Sequence, residues 1–420
     1  MGVKEILRNL GPGLLFAGAA VGVSHLVQST RAGAAYGFDL VWIILLANVF
    51  KYPFFEVGQR YTAVMNESLI RGYERLGRWA VWLFLILNLF SSVLTVGAVT
   101  FVASAIFNYL FFLYSGVTLA AEVTSIIYLL IIALILFLGK YGLFENFVKY
   151  LIISLSILTV VAVIVASSLG SNISTEFVPP EILNQAGIGF LLALMGWMPA
   201  PLELSSWTSL WALENDKETG VRKDYKNSML DFNIGYIVCI FLAICFLALG
   251  AYVMYGTGEE FSNSAVAFTG QLLSLYTTTI GQWSKGVIAF IMFVTMFSTV
   301  ITCLDAYPRS LAEAVKIIHG YPADDRTSRY YWPFLIGITL VSSVIIYFFT
   351  SSLTLFVDIV TIIAFLSSPV IATLNFLVIR KPFFPNEFRP KQWLNWLSYF
   401  GLVAFFGFAL LYLYSISFMG

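Results

Sequence analysis

The chain has 420 residues, 59% of them hydrophobic and only 11% charged, and its 23 basic and 23 acidic residues give a formal net charge of +0. With a mean hydropathy of +0.87, it lies far from the ~25% charged residues of soluble domains. Lipid is therefore the solvent this sequence is built for, and the zero net charge argues against nucleic acid as a partner.

Apolar runs of about 20 residues span a bilayer as helices. Eleven such runs follow one another, at 11–34, 39–60, 79–108, 118–138, 144–168, 187–211, 228–255, 281–310, 332–350, 352–379 and 393–416. The first is followed by Arg31 and has a broken interior, which favours a retained helix over a cleaved signal peptide. Gly18, Ala19, Ala20, Gly22 and Ser24 make a small-residue stretch there, followed by His25 and Gln28. Such a stretch can unwind or can pack tightly against neighbours. His25 favours the first reading, because an imidazole deep in a bilayer needs a cavity or a partner.

Lys51 lies about midway along the second run, too deep to reach water easily, with Glu56 nearby. In the third run the stretch Leu87 to Thr100 carries Asn88, Ser91, Ser92 and Thr95 but no acid. In the sixth, Pro199 and Pro201 bracket Ala200 beside Gly196. Each proline removes a backbone donor, so carbonyls around Met195 and Gly196 lose helical partners and can face a solute. Glu203, a turn further on, is either a proton site or the counterion of a lysine. Glu203, Asp231 and Asp305 are candidate partners of Lys51, as structural glue or as a charge relay. Asp305 and Arg309 are four apart and can pair with each other. Glu122 and Asp358 fall near the outer ends of their helices, where water solvates them. Cys239, Cys245 and Cys303 all lie inside apolar runs and read as packing residues, with no disulfide framework.

Of the 23 lysines and arginines, all but Arg31, Lys285 and the intramembrane Lys51 fall on one side of the eleven-helix scheme. That side is cytoplasmic by the positive-inside rule, which makes a multi-pass protein of the cell membrane with its N-terminus, including Lys4 and Arg8, inside. The polar stretches 61–78, 212–227 and 311–330 are then inner connections, and 257–280 is an outer segment with room for a short surface helix. Residues 1–420 read as a single transmembrane transporter domain. The interrupted first and sixth runs occupy equivalent places and run in opposite directions. They define an inverted repeat of five helices each, 11–168 and 187–379, with a peripheral eleventh helix at 393–416. Broken helices at matching positions point to a carrier's substrate site, placed here at Gly22, Ser24, His25, Gln28, Met195, Met198 and Ala200. The chain lacks a glycine-rich loop ending in Lys-Ser/Thr and a His-Glu-x-x-His pair, so ATP-driven pumping and metalloprotease chemistry find no support, and neither an enzyme nor a cofactor is expected.

Gly11-Pro12 at the start of the first run, Ala32-Gly33-Ala34 at its end, then Gly37-Phe38 and Leu46-Ala47-Asn48, together with Met198-Pro199 in the sixth run, carry a family likeness. In these stretches the chain resembles the NRAMP family of proton-coupled divalent-metal transporters. The resemblance implies an all-α membrane protein of LeuT-type fold, with a five-plus-five inverted repeat and one extra helix. It implies metal and proton symport in a lipid bilayer, with Met198 as a metal ligand. The departures fall on the chemistry. Gly22-Val23-Ser24-His25 stands where the family has Asp-Pro-Gly-Asn, Ala200 stands where it has a histidine, and the third helix lacks the family's acids.

Burying a doubly charged ion without compensating charge costs several kcal/mol or more, and hard ions want carboxylate oxygens. A pocket of His25, Gln28, Met198 and freed carbonyls suits a soft metal held by His25 and Met198, or a small organic solute such as an amino acid or organic acid. A half-helix N-terminus can also hold an anionic group. A third class, a non-transporting membrane sensor, would have two continuous packed helices and no cavity.

Overall fold

The computed structural model describes residues 12–139, 142–169, 173–174, 177–321, 329–349 and 351–418. Lys4, Arg8, Lys140 and Arg326, on which part of the expected orientation rests, and Gly11, which belongs to the family likeness, lie outside the described residues.

Among the described residues there are fifteen α-helices and no strand. The helices are α1 (Pro12–Ala20), α2 (Thr30–Tyr36), α3 (Val41–Met65), α4 (Leu69–Leu76), α5 (Arg78–Ser115), α6 (Ala121–Phe137), α7 (Gly142–Ser168) and α8 (Gln185–Gly196). They continue with α9 (Leu204–Thr219), α10 (Tyr225–Val253), α11 (Ala265–Ile280), α12 (Lys285–Ile318), α13 (Tyr331–Phe349), α14 (Leu353–Val378) and α15 (Gln392–Phe418). A π-helical turn, Ser24–Ser29, joins α1 to α2. The pairs α1–α2 and α8–α9 are the two interrupted runs, and every other predicted run is one continuous helix. The segment 257–280 contains α11, which buries Phe268, Leu272, Leu273 and Tyr276 rather than lying on the surface.

Helices suit lipid because every backbone N–H and C=O finds its partner within the segment. Ends are marked by side-chain caps: Asn184 accepts from the Gly187 amide at 2.8 Å and Asp224 from the Asn227 amide at 3.0 Å. The outward faces carry large apolar side chains such as Phe90, Phe400, Val403 and Leu410, as expected when the surrounding medium is hydrocarbon. In α12 the most apolar stretch is 78% buried, whereas in α15 it is 17% buried. α12 is thus a central helix and α15 lies at the rim, against α3, α8 and α14.

The interrupted first segment is fixed chiefly by α10. A Cβ on Gly33 would lie 1.9 Å from the Leu247 carbonyl oxygen, and one on Gly250 would lie 2.2 Å from that of Thr30. At the other end, a Cβ on Gly235 would meet the Gly13 carbonyl oxygen at 2.1 Å. Both halves therefore touch α10 backbone to backbone, which only small residues permit. Gly33→Val should lower stability by about 1–3 kcal/mol or more through overpacking. Gly337→Ala, with open space around it, should stay within ~0.5 kcal/mol of the parent. Thermal unfolding in detergent reads both.

Candidate transport site

The first helix comes apart at Val21, Gly22 and Val23. The Gly22 amide turns back to the Ala20 carbonyl at 2.9 Å, and the chain re-enters a wider helix when the Leu26 amide reaches the Gly22 carbonyl at 2.9 Å. Ser24 Oγ stands within reach of three acceptors at once: the Ala20 carbonyl at 2.9 Å, the Pro199 carbonyl at 3.2 Å and His25 Nδ1 at 2.8 Å. His25 Nε2 lies 3.0 Å from the Cys239 carbonyl on α10, so Nε2 carries a proton there. Both ring nitrogens are engaged and the ring is fully buried.

The sixth helix stops at Gly196 and resumes at Leu204. Pro199 and Pro201 bring no N–H to the intervening turn, and the Met198–Pro199 peptide is cis. Sequence reasoning turned the freed carbonyls toward a solute. Instead they face Lys51, whose Nζ donates to Met195 O at 2.7 Å, Gly196 O at 2.7 Å and Ala200 O at 3.0 Å. α3 is held in register for this by neighbours on both sides of the lysine. Tyr236 donates to the Asn48 carbonyl at 2.7 Å, and Asn375 donates to that of Phe54 at 2.9 Å.

The two breaks face each other across a cavity of about 30 Å³, room for about two water molecules. The first break contributes Ala20, Val23 and Ser24 and the second Trp197, Pro199 and Ala200, while α12 closes the space with Thr299 and Cys303. No acidic, basic or histidine side chain is in the lining. Trp197 and Trp207 border the cavity, and the indole N–H of each is buried without a hydrogen-bond partner among the described residues. Two indole donors thus border the cavity, and no anion lines it.

Of the residues expected to bind substrate, Ser24 and Ala200 line the cavity, and Gly22 sits against Thr299, 2.9 Å from where its Cβ would be. Met195 and Met198 are buried outside the lining, and Met195 serves through its carbonyl. Gln28 points away, donating to Asp358 at 2.9 Å and to Thr361 at 3.2 Å on α14. The expected metal pair of His25 and Met198 is not assembled around the cavity. Among the described residues no group of three His, Cys, Asp or Glu is placed to hold a metal.

The candidate charges separate. Glu203 is buried beside the cavity. One of its carboxylate oxygens accepts from Ser91 and from Tyr307, the latter at 3.2 Å, and the other has no partner among the described residues. Asp231 accepts from the Gly13 amide at 3.2 Å and pairs with Lys223 at 3.4 Å, so it ties α1 to α10 rather than serving Lys51. Asp305 pairs with Arg309 at 2.6 Å, as their spacing predicts, and accepts from Tyr331.

Asp358 is not merely solvated. Its carboxylate takes both guanidinium nitrogens of Arg31, at 2.6 and 3.0 Å, bridging α2 to α14 at one end of the site. Trp197, Trp207, Thr299 and Cys303 were missed as lining residues. The four-residue spacing of Thr295, Thr299 and Cys303 along one face of α12 was the signal available.

Removing the Arg31 partner should loosen this end. Asp358→Asn should raise the alkylation rate of native Cys303, 4% exposed in the cavity lining, by about fivefold, the ratio that ~1 kcal/mol of half-buried ion pairing sets. Labelling followed by mass spectrometry checks this, with Cys303→Ala as the blank.

The family model for natural resistance-associated macrophage protein-like proteins matches residues 13–415. An uncharacterized protein of Pasteurella multocida is 39% identical over 407 residues, covering 96% of this chain and 91% of that one. The divalent metal cation transporter MntH of Staphylococcus aureus is 24% identical over 269 residues, 61% of this chain and 58% of its own length. Among solved structures, a variant of the manganese transporter of Eremococcus coleocola superposes with a TM-score of 0.68 at 15% identity, covering 99% of this chain and 87% of that one. The all-helical architecture is of the LeuT type, and the chain is a multi-pass membrane protein that belongs to the NRAMP family of transporters.

Proposed function

We propose that this chain is a secondary transporter that moves a small solute by alternating access, the cargo sitting in the cavity between the two helix breaks. The cavity itself carries the reading. Two interrupted helices meet around a small cavity, and an ion pair bridges two helices at one end. Residues 11–168 and 187–379 are the two halves that move against each other, with 393–416 peripheral, in a cell membrane with the N-terminus cytoplasmic. The breaks and the cavity count against a static sensor.

NRAMP membership supports a metal ion as the cargo, with protons as the coupled ion. Glu203 is the group we assign to the proton, because it is a buried carboxylate beside the cavity with one oxygen unpartnered among the described residues. One observation favours a second cargo, a small organic solute with hydrogen-bond acceptors. The lining offers two indole donors and no carboxylate, and Lys51 places an ammonium in the adjacent break. That ammonium repels any cation entering the cavity, and a divalent ion twice as strongly as a monovalent one at the same distance.

Proteoliposome uptake of manganese, cadmium and a panel of amino acids, with internal pH recorded, separates the two. Under either reading Gly22→Leu, which drives a side chain into Thr299, should abolish flux in a protein that still folds. Glu203→Gln should keep flux while losing the accompanying pH change. Saturable metal flux supports the family cargo. Metal silence with amino-acid flux supports the organic one. No flux of any of these in folded protein would count against both.

A further inference from the structure

The surroundings of Lys51 are those of a bound ion rather than of a packing residue. An ammonium has three N–H donors and no acceptor. Here three backbone carbonyls meet it at 2.7, 2.7 and 3.0 Å, one for each donor. The charged form gives each carbonyl its own N–H, whereas a neutral amine would turn a lone pair toward one of those oxygens. Two of the carbonyls end α8, where the helix dipole places partial negative charge, and the third belongs to the turn before α9. The trio is also rigidly backed: a Cβ on Gly196 would lie 1.9 Å from the Thr361 carbonyl oxygen, so the break is pressed backbone to backbone on α14.

We propose that the carbonyls of Met195, Gly196 and Ala200 form a monovalent-cation site whose resident is the tethered ammonium of Lys51. The separations are longer than the ~2.0–2.1 Å of magnesium and the ~2.3–2.6 Å of calcium to oxygen, and they match an ion of ammonium size. A tethered cation does not leave with the cargo. The sixth-helix break is therefore charged and held open in every state of the cycle without drawing an ion from solution. Emptied of the lysine, the site takes small monovalent cations from the medium, ammonium and methylammonium first.

The test is chemical rescue of stability, which reads the site whether or not the carrier reading holds. Wild type, Lys51→Ala and Lys51→Met are purified, and their thermal midpoints are compared in choline, potassium, ammonium and methylammonium chlorides at equal ionic strength. The wild type should be indifferent to the cation. Lys51→Ala should lose stability in choline and regain half or more of the loss in ammonium or methylammonium, since a ligand that binds only the folded form stabilises by mass action. Lys51→Met fills the space with an uncharged stem, so it should be destabilised without rescue. Three results would overturn the proposal: both variants as stable as wild type in choline, a loss in Lys51→Ala that is equal in every cation, or rescue of Lys51→Met to the same extent as Lys51→Ala.

Discussion

A helix interrupted inside a membrane protein leaves carbonyl groups that neither water nor lipid can satisfy, and each costs several kcal/mol if orphaned. In this chain the cost falls on Met195, Gly196 and Ala200, and Lys51 offsets it with three charge-assisted hydrogen bonds. The exchange is mutual, because the carbonyls give a buried ammonium the partners it needs. The rest of the site depends on this contact. It holds the sixth-helix turn open opposite Gly22, and so keeps a cavity where two continuous helices would close it.

The first helix solves the same problem by other means. Its break is short, its carbonyls are re-used by a π-helical turn, and Ser24 and His25 stitch it to Pro199 and to α10. His25 is thus spent on the backbone of a neighbour, which leaves the cavity without an imidazole. The site is lined by backbone, small side chains and two indoles, a chemistry distinct from the carboxylate-rich pockets that hard divalent ions prefer. Its ends differ as well. Arg31 and Asp358 close one with a half-buried ion pair, while Asp231, the Gly13 amide and Lys223 tie the other. Contacts of this kind can break and reform, whereas the glycine-to-backbone seams on α10 hold the two halves of the first segment to one scaffold helix.

Much of the architecture was legible in the sequence because lipid imposes a simple rule. A run of apolar residues near 20 long becomes a helix, and all eleven predicted runs are helical segments, two of them interrupted where Gly22 and the Pro199–Pro201 pair stand. The importance of Lys51 was legible for the same reason, since a lysine at that depth must have partners. Its actual partners were not. They are backbone carbonyls 144 to 149 residues away, and a carbonyl has no residue-type signature to read. The turning of His25 toward Cys239, 214 residues away, and the pairing of Arg31 with Asp358, 327 residues away, are likewise set by how the helices pack. Local pattern placed each residue on its helix but not the neighbour it would face.

Under the carrier reading proposed above, the Arg31–Asp358 bridge opens and recloses, so that the α2 end and α14 part in one state and meet in the other. The most direct measurement is the distance distribution between spin labels at Phe38 and Leu355, both exposed at 47% and 54% beside that junction, by pulsed electron resonance in lipid nanodiscs. Cys239 and Cys245 are buried away from the cavity, and Cys303, which lines it, is replaced by alanine so that only the two labels report. Two populated distances whose balance shifts on adding a transported solute are the predicted result. A single narrow distance, unchanged by any solute that the protein transports, would contradict the account.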